Sequence, residues 1–487
     1  MAALVRPAVM SAVPGKRAEV WSLVLLCGVQ LMLILDFSIV NVALPAIGGR
    51  FGLSRSGLQW VAGSYGLTLG GLLLLGGRLS DLLGRRRLFV AGLAVFAAAS
   101  LAGGLAVSGL MLIIMRAAQG VGAAMVAPAL LSLVTATFAE GPQRNQALGW
   151  FGAAGASGFA LGAFLGGVLT YFISWRAVLL VNVPPAAIAI AAAFRLLRGG
   201  PGRGPGGGYD VPGGLAATAG LLALVYGLIR VSQSGLAAAG TVIPLAGGIT
   251  LLAGFVWLEG RAGSPLMPLR VFRLRGLSAA NGAAVLASMV IGACILMLSL
   301  QLQDVDGFSP LAAGLAFLPL GVLVGTVAVV APRLAACLGL KPVLVAGTAL
   351  MALGALLLAR VTAASSYAGV ILPGMIVLAA GFGAFISTAT IAATGSVRDS
   401  EQGLAAGLLN SAQQVGGSLG IAVLVTLASE HDQGLGGTGK AAQASGYAYG
   451  FLAAAVVGLT ATVLAALAMP GRTRAADAAS DRPQGSR

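Results

Sequence analysis

Residues 58–108, LQWVAGSYGLTLGGLLLLGGRLSDLLGRRRLFVAGLAVFAAASLAGGLAVS, set a short charged turn between two apolar runs. The turn is Gly77-Arg78-Leu79-Ser80-Asp81-Leu82-Leu83-Gly84-Arg85-Arg86-Arg87. Each run approaches the roughly 20 apolar residues that carry a helix across about 30 Å of hydrocarbon. Such a pattern predicts two membrane helices joined at one face of a bilayer. In hydrocarbon the backbone must bond to itself, so helices are the economical reading of long apolar runs.

The pattern continues in both directions. Apolar stretches occur at 21–44, 58–77, 88–108, 110–137, 147–173, 177–197, 213–231, 241–258, 278–302, 310–334, 342–361, 368–395, 404–428 and 447–468, which predicts fourteen spans. With 58% hydrophobic and 9% charged residues, 487 residues cannot build a water-facing surface. The first span is too long, and lacks a small-residue cleavage site, to be a removed signal peptide. Cys27, Cys294 and Cys337 fall in or beside spans and predict no disulfide framework.

The net charge of +15 is a statement about topology. With a cytoplasmic N-terminus, the outer loops hold Arg50, Arg55, Arg176, Arg230, Arg360 and Lys440, and Arg116 lies within a span. All other basic residues fall to inner loops and tails, the positive-inside asymmetry. Both termini are therefore expected in the cytoplasm, with the basic residues facing anionic lipid headgroups rather than nucleic acid.

The chain also repeats. GRLSDLLGRRRLFVAG at 77–92 aligns with PRLAACLGLKPVLVAG at 332–347, identical at Arg78/Arg333, Leu79/Leu334, Leu83/Leu338, Gly84/Gly339, Val90/Val345, Ala91/Ala346 and Gly92/Gly347. The echo joins spans 2–3 to spans 10–11, two spans further than six-span halves alone would place it. The expected layout is a cytoplasmic tail (1–20), a six-helix half (21–197), a Gly/Pro-rich cytoplasmic linker (198–212), two inserted helices (213–258), a basic cytoplasmic loop (259–277), a second six-helix half (278–468) and a cytoplasmic tail (469–487). Two related halves with a site between them is the layout of secondary transporters. No loop is long enough for a soluble catalytic domain.

Four segments carry chemistry. In the turn, Gly77 and Gly84 are expected to permit tight backbone, and Asp81 places one anion among Arg78, Arg85, Arg86 and Arg87. In span 1, Asp36 is a carboxylate well inside hydrocarbon, costly to ionise unless paired or solvated, and so a functional candidate. In span 4, Arg116 lies roughly 9 Å from the outer end, and Asp36 about 12 Å from its own, on a 1.5 Å rise per residue. The two charges share a depth; the alternative is that Arg116 reaches up to the interface. In span 5, Gly158, Gly162 and Gly166 recur every fourth residue and form a groove on one face, followed by Gly167. Gly434-Leu435-Gly436-Gly437-Thr438-Gly439-Lys440 spells part of a phosphate-binding loop, but Ala441 supplies no hydroxyl for Mg²⁺ and no buried strand precedes it. His431, between Glu430 and Asp432, is read as solvated surface.

These segments resemble the major facilitator superfamily, and within it the fourteen-span drug:proton antiporters (EmrB/QacA-like multidrug efflux). The turn resembles motif A, G-x-L-x-D-x-x-G-R-R/K. Leu35-Asp36 through Asn41-Val42-Ala43-Leu44-Pro45 is similar to that group's first-span motif, LDxxxVNVALP. Arg116-Ala117-Ala118-Gln119-Gly120-Val121-Gly122-Ala123-Ala124 matches motif B, RxxQGxGAA, and Gly158–Gly167 resembles motif C, GxxxGPxxGG, with Ala163 in place of the proline. Trp175-Arg176 and Asn182-Val183-Pro184 extend the likeness to span 6.

The resemblance implies an all-α polytopic major facilitator fold of fourteen transmembrane helices. It implies proton coupling through Asp36 and Arg116, a gating loop of Gly77, Arg78, Asp81, Gly84, Arg85 and Arg86, and a helix-packing antiporter motif of Gly158, Gly162, Gly166 and Gly167. The expected activity is export of hydrophobic or amphipathic small molecules, antibiotics among them, by alternating access. Its energy comes from the proton gradient and it requires no cofactor or metal. Partners are a small-molecule substrate, protons and membrane lipid, the protein acting as a monomer in the bacterial cytoplasmic membrane. A nutrient importer shares motif A and is the alternative. An intramembrane enzyme is a further one, although no embedded acid pair, nucleophile–base arrangement or ligand cluster is evident.

Overall fold

The computed structural model describes residues 16–138, 142–197, 211–235, 237–261, 274–397, 402–434 and 439–469. They form α1 (Lys16–Phe51), α2 (Arg55–Leu83), α3 (Arg85–Gly104), α4 (Gly109–Thr137), α5 (Pro142–Phe172), α6 (Trp175–Leu180), α7 (Val183–Leu196), α8 (Val211–Ser234), α9 (Ala239–Arg261) and α10 (Arg275–Leu300). The order continues with α11 (Pro310–Ala316), α12 (Leu318–Leu338), α13 (Leu340–Leu358), α14 (Leu372–Gly395), α15 (Gln402–Gly434) and α16 (Lys440–Ala468). Among the described residues, 11 helical stretches are long and apolar enough to cross a membrane. Most of the predicted linker (198–210 of 198–212), most of the 259–277 loop, most of the N-terminal tail and nearly all of the C-terminal tail lie outside the described residues, and residues 211 and 212 already belong to α8.

Helix–helix approach is set by small residues, as expected where lipid and neighbouring helix are equally apolar. A Cβ on Gly122 would stand 2.7 Å from the backbone nitrogen of Phe96, and one on Gly92 2.8 Å from the carbonyl oxygen of Gly122, so α3 and α4 touch backbone to backbone. The same close approach joins α13 to α14, where a Cβ on Gly347 would stand 2.9 Å from the Phe385 nitrogen. Aromatic side chains fill what remains: Phe89, Phe96, Phe385 and Phe451 are fully buried.

The helices of the N-terminal block (α1–α7) meet those of the C-terminal block (α10–α16) along three seams. Ser299 Oγ of α10 donates to the Asn41 carbonyl of α1 at 2.7 Å. Ser418 Oγ of α15 donates to the Gly63 carbonyl of α2 at 3.2 Å, and Gln59 Nε2 donates to Thr426 Oγ1 at 3.4 Å. On α5 and α11, Gly167 and Gly314 face each other so closely that a Cβ on Gly167 would lie 2.5 Å from the Pro310 carbonyl oxygen. Helices α8 and α9 pack on one another, and α8 also meets α2 and α15, burying Val225 with Leu67 and Ala422. Thr218 Oγ1 of α8 donates to the Gly71 carbonyl at 3.0 Å. Of the membrane-length stretches, Gly276–Val305 is the most enclosed and Ala239–Arg261 the least.

Candidate functional site

Asp36 stands in the middle of α1 with no solvent exposure. Its neighbours on α1 face the glycine row of α5: a Cβ on Gly162 would lie 2.7 Å from the Leu35 carbonyl oxygen and 2.9 Å from Ser38 Cβ. The glycines let α5 approach the α1 backbone closely beside Asp36.

The carboxylate is met by polar groups from two other segments, α4 and the α6–α7 break. Arg116 Nη1 of α4 donates to Oδ2 at 2.6 Å, forming a buried ion pair. Gln119 Nε2, one helical turn further on α4, donates to Oδ1 at 3.2 Å and to Ser100 Oγ of α3 at 2.7 Å. Asn182 Nδ2, at the break between α6 and α7, donates to Oδ1 at 2.6 Å. Arg116 Nη1 also donates to Gln119 Oε1 at 2.9 Å, and its Nε to the Val61 carbonyl at 3.4 Å. The guanidinium lies 4.7 Å from the centroid of the Tyr65 ring, whose hydroxyl donates to the Leu33 carbonyl at 3.3 Å. Two charges removed from water cost several kcal/mol each, and such a pair persists only when its remaining valences are met. Here the partners are Asn182, Gln119 and the Val61 carbonyl, all within the N-terminal block.

Arg116 is 1% exposed, so its head does not reach the interface; the depth shared with Asp36 becomes direct contact. Three participants had no role assigned from sequence. Gln119 lies inside the quoted RxxQ segment, three residues from Arg116 and so on the same helix face. Asn182 precedes Val183-Pro184-Pro185; proline in the first turn of α7 removes a donor there and marks a helix start. Ser100, alone in an alanine run, carries no such signal.

The turn expected to form a gating loop differs from that expectation in one respect. Helix α2 continues to Leu83, so Gly77 lies within a helix, where an added Cβ would meet nothing nearer than Pro128 Cβ at 3.8 Å. Its neighbour Gly76 is the close-contact residue, packed directly on the Ala124 carbonyl. The tight turn is Gly84 alone, at φ 91° and ψ 133°, ending α2 and opening α3. Arg85 Nη1 donates to the Ser132 carbonyl at 3.1 Å; Arg86 Nη1 donates to the Leu197 carbonyl at 3.2 Å and lies 5.7 Å from the Phe194 ring centroid. Both arginines tie this end of α3 to the ends of α4 and α7, where cations also complement the helix dipoles. The side chains of Arg78 and Asp81 lie outside the described residues.

The glycines of α5 divide by face. Gly158, Gly162 and Gly166 meet α1 at Leu31, Leu35 and Ile39 in turn, whereas Gly167 meets α11 of the other block. One helix therefore touches both the segment bearing Asp36 and the seam between blocks. At the far end, Lys440 starts α16 and its Nζ donates to the Val305 carbonyl at 2.7 Å. The His431 ring stacks on Tyr449 at 4.6 Å between centroids, so it is packed rather than simply solvated.

Membrane-length helices enclosing a buried, hydrogen-bonded ion pair define a polytopic helical membrane protein. The chain belongs to the Major Facilitator Superfamily, whose model matches residues 26–421, and membership makes it a transporter rather than an enzyme. It is 40% identical over 448 residues to the cephamycin export protein CmcT of Amycolatopsis lactamdurans, covering 91% of each chain. It is 37% identical to the puromycin resistance protein pur8 of Streptomyces alboniger, covering 94% of this chain and 92% of that one. Among solved structures it superposes on a bacterial homologue of the human lysosomal transporter Spinster, in an inward-facing and unoccupied conformation. That match has a TM-score of 0.66 and 17% identity, covering 94% of this chain and 98% of the other; it is a likeness of fold.

Proposed function

We propose that the protein is a proton-coupled antiporter that exports hydrophobic or amphipathic small molecules, antibiotics among them, from a bacterial cell. The observation that carries this reading is the buried Asp36–Arg116 pair. The relatives named for cephamycin export and puromycin resistance support the substrate class and the direction. The layout proposed is two six-helix halves around two inserted helices. The lengths of α2, α5 and α8, at 29, 31 and 24 residues, support it, as does the peripheral position of the inserted pair. Both termini are placed in the cytoplasm by the charge asymmetry, and a single chain is the working unit.

The chemistry follows from hydrogen-bond capacity. Ionised Asp36 accepts from Arg116, Gln119 and Asn182, which suits an anion. A proton arriving from outside converts one carboxylate oxygen to a donor and neutralises the charge opposite Arg116. The guanidinium then sits buried without its counter-ion, which disfavours that arrangement of α1 and α4. Through the glycine row, α1 bears on α5, and through Gly167 α5 bears on α11. A change at Asp36 thus reaches the seam between blocks, biasing it toward the other facing state. Each charge carried through 100 mV supplies about 2.3 kcal/mol, to which the pH gradient adds.

The test is transport in proteoliposomes with an imposed pH gradient as the sole energy source. Asp36→Asn keeps size and hydrogen bonding but cannot exchange a proton. Uphill substrate movement should be lost while downhill exchange survives. Uphill transport by this variant would place the coupling group elsewhere.

A further inference from the structure

Helix α10 does not end as an ordinary helix. Beyond Leu300 it widens into a π-helical turn, Gln301–Val305, followed by Asp306 and by Gly307 at φ 75°. Such turns are rare and concentrate at functional sites. This one holds two amide side chains with different tasks. Gln303 Nε2 donates to the Val42 carbonyl of α1 at 3.0 Å and to Ser299 Oγ at 3.1 Å, so it belongs to the seam between blocks. Gln301, fully buried, donates from Nε2 to Asp306 Oδ1 at 2.8 Å.

The two remaining atoms of that pair, Gln301 Oε1 and Asp306 Oδ2, are both buried and both without a hydrogen-bond partner. Both are acceptors when Asp306 is ionised, and exchanging the O and N of Gln301 leaves the same mismatch. One proton on Asp306 removes it. A carboxylic acid and a primary amide are complementary, each able to donate and accept; the structure shows the bond from Nε2 to Oδ1, and a proton on Oδ2 supplies the missing donor.

Among the described residues, the surroundings supply no other donor to these two atoms. The charged group brought by α16 is Lys440, and its Nζ is engaged with the Val305 carbonyl at 2.7 Å. Asp304, on the same turn, is exposed. On α15, Glu430 is exposed, and His431 is turned to the Tyr449 ring, with Nε2 3.4 Å from Ser445 Oγ. Neither α11 nor this end of α10 brings a charged side chain. Burial raises the Asp306 carboxyl above the ordinary carboxylate range, with the Gln301 bond and the Lys440 charge pulling it partly back.

We propose that Asp306 is a second proton-binding carboxylate of this transporter, carried by the C-terminal block and kept protonated by its burial beside the unpartnered Gln301 Oε1 while the seam to α1 is closed. On ionisation Asp306 repels Gln301 Oε1 and attracts Lys440 away from the Val305 carbonyl. Both changes loosen the turn that aims Gln303 at Val42. Acidity at the predicted outer face therefore favours closure of that face. The gating part of this proposal rests on the reading that the two blocks separate there during transport; the proton site itself does not.

The test uses the full-length protein in lipid nanodiscs, followed by infrared titration of the protonated carboxyl band. The wild type should show a band that titrates above the range of an exposed aspartate. The band should vanish in Asp306→Asn, which can still accept from Gln301 Nε2, and persist in Asp36→Asn. Lys440→Gln should shift its midpoint upward. A band unchanged in Asp306→Asn, or a midpoint in the ordinary carboxylate range, overturns the proton site. Spin labels at the exposed positions Arg50 and Glu430 read the gate: their separation should change with pH in the wild type and stay fixed in Asp306→Asn. An unaltered pH response in that variant overturns the gating role. Failure of Asp36→Asn to abolish uphill transport would overturn the coupling reading and leave this site standing.

Discussion

The Gly84 turn and the Gly339 turn have nearly the same backbone and very different charge. Gly84, at φ 91° and ψ 133°, joins α2 to α3; Gly339, at φ 97° and ψ 153°, joins α12 to α13. Eight residues on, Gly92 and Gly347 each let the new helix press against the next one's backbone. Around Gly84 stand Asp81, Arg85, Arg86 and Arg87; around Gly339 the same positions are Ala336, Leu340, Lys341 and Pro342. Shape is held in common by glycine, because a positive φ of this kind strains any side chain. Charge is held in common only at Arg78/Arg333 and Arg86/Lys341; Asp81, Arg85 and Arg87 have no charged counterpart. The fold requires the turn twice, while the charged chemistry is placed in the block that also holds the Asp36–Arg116 pair.

The largest effect that sharpens this contrast is expected at Arg116. Arg116→Ala leaves an ionised carboxylate buried without its partner, which should cost about 3–5 kcal/mol and abolish transport. Arg333→Ala, at an exposed position in the C-terminal block, should stay within about 0.5 kcal/mol of wild type. Thermal unfolding in detergent measures both. Equal losses would mean that charge in the two blocks is structural alike.

Next come the turns themselves. Gly84→Ala and Gly339→Ala should each destabilise by about 1–3 kcal/mol, since each forces a side chain into the same strained region. Similar unfolding shifts, with a deeper transport defect for Gly84→Ala, would support shared shape and unshared function. A penalty confined to one turn would break the comparison.

The smallest effects on stability should come from the charges beside the turns. Asp81→Asn and Lys341→Gln should each change stability by less than about 0.5 kcal/mol. Transport should separate them, falling severely in Asp81→Asn and remaining near wild type in Lys341→Gln. Substrate efflux measured at matched membrane expression decides it. Full transport by Asp81→Asn would reduce the N-terminal turn to a topological anchor.

The sequence by itself determined the solvent, the helical class, the depth of the buried charges and the family. Each of these is written in apolar length, in charge placement or in short motifs. Predicted spans run short of the helices, as 21–44 does of Lys16–Phe51, because hydropathy measures hydrocarbon while a helix continues into the headgroups. Periodicity fixes the face and height of a side chain but not which helix stands opposite. The tertiary structure therefore decided that Asn182 and Ser100 complete the Asp36 site. It decided that Gly76 rather than Gly77 makes the close contact, and that Gly167 leaves its row to meet α11. It also paired Gln301 with Asp306 across one widened turn, since a π turn shifts the register on which any helical reading depends.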